Sequence, residues 1–252
     1  MAWGYNLPLT TATGGLLTFD AYGFLIGLIN FTPSSTQLID IAFGANPNEK
    51  VVLSNLMFEG LANRLAVEVF IPLPIPSGTI VSATSQATTA YSYSYLTLTP
   101  LGQGFLPSPW LGNVQTLGVT ATAGLYTKGT SINPGDPYDT KGSWYELLPV
   151  TGTGLARPCS QLLLMVGSRA DAVVLDTRYL LDIGIGPSSS EVVPVYSNIF
   201  LGIQYNSDTL QQSAFGPYPF SAPAGTRIWA RSQYRGTSTA DKLINVAAYA
   251  FG

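Results

Sequence analysis

Two stretches of this chain are copies of each other, and that duplication constrains the fold more than any other feature. Residues 38–60 (LIDIAFGANPNEKVVLSNLMFEG) and 180–202 (LLDIGIGPSSSEVVPVYSNIFLG) align without a gap at an offset of 142. Leu38/Leu180, Asp40/Asp182, Ile41/Ile183, Gly44/Gly186, Glu49/Glu191, Val51/Val193, Phe58/Phe200 and Gly60/Gly202 are identical pairs. A second block follows in each half. Residues 76–86 (PSGTIVSATSQ) and 223–233 (PAGTRIWARSQ) share P-x-G-T-x-x-x-A-x-S-Q at an offset of 147. Two blocks in the same order indicate one unit used twice. Between the halves, Thr99–Pro109 holds Pro100, Pro107 and Pro109 and no charge, which suits a short stiff linker. The units are therefore expected at 1–102 and 112–252, joined by 103–111, each long enough for a core of its own.

The local pattern is β. Leu16–Phe19, Leu25–Asn30, Gln37–Phe43, Ala66–Ile71, Gly78–Ser85 and Tyr91–Thr97 are short runs bounded by Gly, Pro, Asn or Ser clusters. The second half offers Leu162–Val166, Ala172–Leu175, Tyr179–Ile185, Thr226–Ser232 and Leu243–Phe251. The best helical windows, Asn55–Leu65 and Ser168–Asp176, carry only a weak 3.6-residue period. Gly44 and Gly186 are expected to turn the chain with positive φ after each L-x-D-I strand. Pro-x-Gly-Thr reads as a turn that launches a strand. Short strands with turns every 8–12 residues predict an all-β protein: two tandem antiparallel β-sandwich domains, jelly-roll-like, arising from the duplication.

Composition excludes several chemistries. The chain has no histidine, which removes His-based triads, His–metal sites and imidazole switches. A lone cysteine, Cys159, allows neither an internal disulfide nor a Cys-rich zinc site. No cofactor and no metal are expected. A net charge of −3 with 11 basic residues gives no broad footprint for nucleic acid. Charged residues are only 10%, which makes the chain apolar overall. Even so, no run approaches the ~20 apolar residues of a membrane span. Prolines 72, 74, 76, 217, 219 and 223 suit a membrane barrel poorly. The N-terminus has no basic stretch followed by an apolar one, so no signal peptide is expected.

The L-L-D-I-G-x-G strand, Glu191-Val-Val, Pro223-Ala-Gly-Thr-Arg-Ile-Trp-Ala-Arg-Ser-Gln, Asn113-Val-Gln-Thr-Leu-Gly and Thr140-Lys-Gly-Ser-Trp together resemble structural proteins of tailed-bacteriophage virions. The second copy matches throughout. The first matches weakly, with Ile80 and Thr84 where the second has Arg227 and Arg231. The resemblance implies β-sandwich proteins of the virion surface, such as capsid decoration (cement) proteins or tail components.

Candidate sites follow from where the copies differ. On a strand, Arg227, Trp229, Arg231, Gln233 and Arg235 share one face, with Ile228, Ala230 and Ser232 on the other. The first copy has Ile80, Ser82, Thr84, Gln86 and Thr88 there. Arg and Trp are enriched at binding hot spots, so this face is the candidate for docking a partner protein. The competing reading is a solvated strand whose Arg stems pack over Trp. Tyr91, Tyr93 and Tyr95 alternate onto one strand face and are a weaker candidate for glycan binding or interface packing. Asp40, Asp182, Glu49 and Glu191 offer paired carboxylates of the kind a glycosidase needs. They read instead as structural: an Asp bonded to turn amides and a Glu at a loop edge. Residues 1–111 carry five acids and two bases, whereas 112–252 carry nine of each, so contacts are expected to be divided between the halves. Phe70-Ile-Pro-Leu-Pro-Ile-Pro cannot be a central strand and is expected as a buried loop or an exposed edge.

These readings converge on a non-enzymatic phage virion protein, a capsid decoration protein that bridges and stabilises capsid subunits. Its expected partners are the major capsid protein or other virion proteins, and further copies of itself as a dimer or trimer. Neither nucleic acid nor membrane is expected, and assembly is expected in the host cytoplasm. The alternative is a tail or fibre component that binds a host receptor or glycan; a glycan hydrolase ranks third.

Overall fold

A computed structural model describes residues 7–8, 17, 19–30, 36–44, 48–59, 67–87, 94–102, 114–119, 121–122, 125–126, 129–134, 139–149, 152–168, 178–202, 213–235 and 243–252. The first half contains β1 (Leu7–Pro8), β2 (Ala21–Asn30), β3 (Thr36–Phe43), β4 (Lys50–Glu59), β5 (Val67–Ile71), β6 (Val81–Ala87) and β7 (Ser94–Gly102). The second contains β8 (Val114–Leu117), β9 (Ala121–Thr122), β10 (Leu125–Tyr126), β11 (Thr130–Ile132), β12 (Tyr145–Glu146), β13 (Cys159–Ser168), β14 (Arg178–Ile185), β15 (Val193–Gly202), β16 (Ser213–Ala222), β17 (Ile228–Arg235) and β18 (Ile244–Phe251). Among the described residues there is no helix. Asn55–Glu59, inside one expected helical window, belongs to β4.

Each half is an antiparallel sandwich. Sheet I runs β1-β6-β3-β4 and sheet II β5-β2-β7. Sheet III runs β12-β17-β14-β15 and sheet IV β11-β18-β13-β16, with β8 also on β18; β9 and β10 form a separate two-stranded ribbon. Following the chain, β1 to β7 visit sheets I-II-I-I-II-I-II, and β12 to β18 visit III-IV-III-III-IV-III-IV. The two halves therefore share one path. The registers agree: Asp40 faces Thr84 and Asp182 faces Arg231, the offsets of 142 and 147 seen in the repeat.

One detail of the sequence alignment shifts. β3 pairs Leu38 with Met57, while β14 pairs Leu180 with Phe200. The second half is thus one residue longer in its 186–192 turn, and beyond that turn the counterparts lie 143 apart. Asn55 matches Asn198, both with left-handed φ (55° and 60°), and Phe58 does not match Phe200. Nor are Glu49 and Glu191 counterparts. A Cβ on Gly44 would approach Asn48 O at 3.0 Å, whereas one on Gly186 would meet Glu191 O at 2.5 Å. Gly44 has φ +114°, as expected; Gly186 does not have positive φ and is required by that close approach instead. The Pro-x-Gly-Thr turns behave alike in both halves. Gly78 and Gly225 take φ near +80° (80° and 83°), and Thr79 and Thr226 N–H donate to Pro76 and Pro223 O.

The prolines sit where a missing N–H is tolerated. β5 ends at Ile71, before Pro72, and is an edge strand; Leu73 and Ile75 beyond it are buried. β16, with Pro217 and Pro219, is also an edge.

The cores explain the apolar runs LLLMV and VAAYAF. From β13, Leu162, Leu164 and Val166 point into the core between sheets III and IV. Leu163 and Met165 point the other way, into the core of the first half. On β18, Val246, Ala248 and Ala250 face one core and Ala247, Tyr249 and Phe251 the other. The central strands of sheet IV, β13 and β18, are buried on both faces, so they show no apolar–polar alternation. The first half does not close a core alone. The side of its sandwich at β4 and β5 rests on the outer face of sheet IV. There the Tyr249 hydroxyl accepts from Met57 N–H at 2.8 Å and donates to Asn55 O at 2.8 Å, and Thr116 donates to Ser54 O at 2.7 Å.

Candidate functional site

The outer face of sheet III carries the charged ladder. β17 alternates as its sequence demands: Ile228, Ala230, Ser232 and Tyr234 are buried in the core, and Arg227, Trp229, Arg231 and Gln233 lie on the opposite face. The side chain of Arg235 lies outside the described residues, as do Tyr91, Tyr93 and the side chain of Tyr95; the backbone of Tyr95 pairs with Ile29 in β7.

Both arginines on this face are engaged within the chain. Arg227 meets Glu146 through Nε (2.7 Å) and Nη2, also donates to Pro187 O, and lies 5.0 Å from the Trp229 ring centroid. Trp229, 6% exposed, donates its indole N–H to Gly186 O at 2.7 Å. Arg231 Nε reaches Asp182 Oδ2 at 3.0 Å, and its guanidinium lies 4.4 Å from the Trp144 centroid. Lys141 Nζ takes the other Asp182 oxygen at 2.7 Å and Asn198 Oδ1 at 2.9 Å. Gly184 makes room for Trp144: a Cβ there would stand 3.1 Å from the indole. Stacking over indole suits guanidinium better than ammonium, which is why Arg rather than Lys holds positions 227 and 231.

Lys141, Trp144 and Glu146 are absent from the candidates read in the sequence. They come from β12 and the segment before it; on β6 the counterparts of Tyr145 and Glu146 are the apolar Leu7 and Pro8. No repeat signal could flag them. Trp144 and Glu146 do sit two apart, at strand spacing, as Arg227 and Trp229 do.

Asp40 and Asp182 are bound to backbone amides, but these lie inside the neighbouring strands β4 and β15 rather than in turns. Each accepts one backbone N–H across a β-bulge, from Asn55 at 2.6 Å and from Asn198 at 2.8 Å. Their surroundings then diverge. Burial pushes the Asp40 carboxyl above the usual carboxylate range, and the single Asn55 bond only partly offsets it. Burial acts on Asp182 in the same direction, but Lys141, Asn198 N–H and Arg231 outweigh it and hold that carboxyl below the range. The linkage signs are opposite. Asp182 contributes stability that is present above the usual carboxylate range and lost as pH falls through its depressed value. Ionising Asp40 costs stability, a cost relieved as pH falls through its raised value. Denaturant unfolding of wild type and Asp40→Asn from neutral to mildly acidic pH checks this. The advantage of Asp40→Asn should shrink as pH falls; a difference independent of pH would refute it.

Beside the ladder lies an open groove of about 680 Å³, lined mainly by Ile185, Pro187, Glu191, Val193, Thr226 and Arg227. It leads onto β15, the last strand of sheet III among the described residues. Val193 (64% exposed), Val195 (42%) and Phe200 (59%) stand there in solvent. Among the described residues, no three of His, Cys, Asp and Glu converge as a metal site.

Neither a protein-family model nor a curated protein matches the chain. Among solved structures, the N-terminal CBM22-1–CBM22-2 tandem domain of Xyn10C from Paenibacillus barcinonensis aligns over 98% of this chain and 82% of its own, at 9% identity and a TM-score of 0.27. At that score the likeness carries no argument, and the tandem-sandwich assignment rests on the strand order and registers given above.

Proposed function

We propose that the chain is a non-enzymatic structural protein of a phage-type virion, a decoration protein that bridges neighbouring subunits. The observation that carries this reading is the uncovered apolar edge β15. Its counterpart β4 keeps only its first residues, Lys50 and Val51, exposed and buries Leu53 and Met57, yet β15 keeps Val193, Val195 and Phe200 in solvent, as a surface does when another protein covers it. A second support is the shared core, which makes the two sandwiches one stiff body suited to bridging rather than a jointed pair.

The ladder on sheet III plays a different part in this reading from the docking face expected from sequence. With Arg227 on Glu146 and Arg231 on Asp182, its charges chiefly hold sheet III together. Replacing Arg231 by Glu would set two carboxylates against each other, so that variant cannot separate docking from folding. Cryo-electron microscopy of the virion, with copy number by quantitative mass spectrometry, tests the proposal. Hundreds of copies over the capsid are expected. A few copies at the tail would favour the receptor- or glycan-binding alternative, and absence from the particle would overturn both.

A further inference from the structure

We infer that β15 is covered by a second copy of this chain, through the outer face of that copy's sheet II, in a head-to-tail contact that repeats the one between the two halves. The inference rests on the reading of β15 as a contact surface and names its occupant.

The argument starts from the contact that exists. Inside one chain, the β4–β5 side of the first sandwich sits on the outer face of sheet IV. By the duplication, the β15–β16 side of the second sandwich is the counterpart of the covered side. The outer face of sheet II is the counterpart of the covering face. Leu25 pairs with Thr99 as Leu163 pairs with Tyr249, and Gly27 with Thr97 as Met165 with Ala247. One chain thus presents the edge and the β13, β18 and β16 part of the covering face a second time; β8, which also meets β4, has no counterpart on sheet II among the described residues.

Side-chain size differs between the two pairs of surfaces: on the edge Met57 is replaced by the larger Phe200, while Tyr196, in place of Leu53, packs on Tyr218 of its own half. On the face, Met165, Tyr249 and Phe251 are replaced by the smaller Gly27, Thr99 and Leu101, which leaves room there for Phe200. Exposure marks the vacancy: Met57 is 1% exposed and Phe200 59%. The backbone groups that receive the Tyr249 hydroxyl, Met57 N–H and Asn55 C=O, have as counterparts Phe200 N–H and Asn198 C=O on the open edge. The edge and the face are different surfaces, so the contact is heterologous and builds a ring or a filament rather than a closed pair.

Sedimentation velocity of the full chain across a concentration series tests this. Species beyond the dimer should grow with concentration. Phe200→Glu on the edge and Thr99→Glu on the face, both at exposed positions, should each raise the half-association concentration by about tenfold or more. Mixing the two variants should restore association only as far as a dimer, because each retains one intact surface. A wild-type chain that stays monomeric overturns the inference. So does wild-type association by Thr99→Glu, which would mean that β15 pairs with itself. Val195→Glu, at the counterpart of the covered Val52, and Thr97→Glu read the same two surfaces if either first variant melts early by circular dichroism. Particle attachment is scored separately. Attachment lost in Phe200→Glu without any self-association sinks the inference and keeps the functional reading; self-association without attachment does the reverse.

Discussion

Replacing Tyr249 by Phe should destabilise the whole chain by about 1–3 kcal/mol, because it removes a buried hydroxyl that accepts from Met57 N–H and donates to Asn55 O. Tyr249 is wholly buried, and burial holds its phenol far above its usual pKa, so the hydroxyl is neutral and acts as both donor and acceptor. It does so across a separation of 192 residues, tying the β4 bulge of one half to β18 of the other. Truncation to Ala should cost about 3–5 kcal/mol, since a large void would open in the first core. The distinctive result is in cooperativity. Leu163, Met165, Ala247 and Phe251 share that core, so wild type should unfold in a single denaturant transition. Tyr249→Ala should split it, with the first half melting earlier while the fluorescence of Trp144 and Trp229 still reports a folded second half. A single transition with an unchanged midpoint would show that the halves are stable independently.

The second large effect is a contrast between duplicates. Asp182→Asn should cost about 3 kcal/mol at neutral pH, the low end for breaking a buried ion pair, because Lys141 and Arg231 are about a quarter exposed. Asp40→Asn should be neutral or stabilising: the amide oxygen still accepts from Asn55 N–H, and a buried charge with no basic partner among the described residues is removed. The same substitution at counterpart positions should therefore change stability in opposite directions. Equilibrium urea unfolding of both variants measures it, and equal losses would show that the carboxylates serve the bulge alone. Loss of the Trp144 fluorescence signature in Asp182→Asn but not in Asp40→Asn would locate the effect at the Arg231 stack.

Much of the fold was legible in the residues because the duplicated positions carry local chemistry. An Asp two residues after Leu, a Pro-x-Gly-Thr turn and strict alternation along Arg227–Arg235 act over a few residues, and each predicts its own geometry. Strands β4, β15 and β16 were harder to read. Their bulges at Asn55 and Asn198 and the prolines of β16 interrupt the two-residue period on which strand recognition depends. The gapless alignment hid the one-residue insertion in the second turn for a related reason: each half has a bulge after the turn, and chance identities such as Phe58/Phe200 kept the wrong register plausible.

The candidate site was legible on one strand only. Alternation placed Arg227, Trp229 and Arg231 on a common face, but Asp182, Glu146 and Trp144 reach them from 49 to 87 residues away in the chain, Lys141 joins through Asp182, and only sheet pairing brings them together. On its own, the sequence determined the all-β class, the duplication, the turns and which residues share a strand face, since these depend on backbone preferences and short-range spacing. The tertiary structure alone decided that the arginines serve one another's sheet, that Tyr249 fuses the halves, and that one of two equivalent edges is buried while the other stays open. Those outcomes depend on which surfaces meet, and burial is a property of the pair of surfaces rather than of either segment.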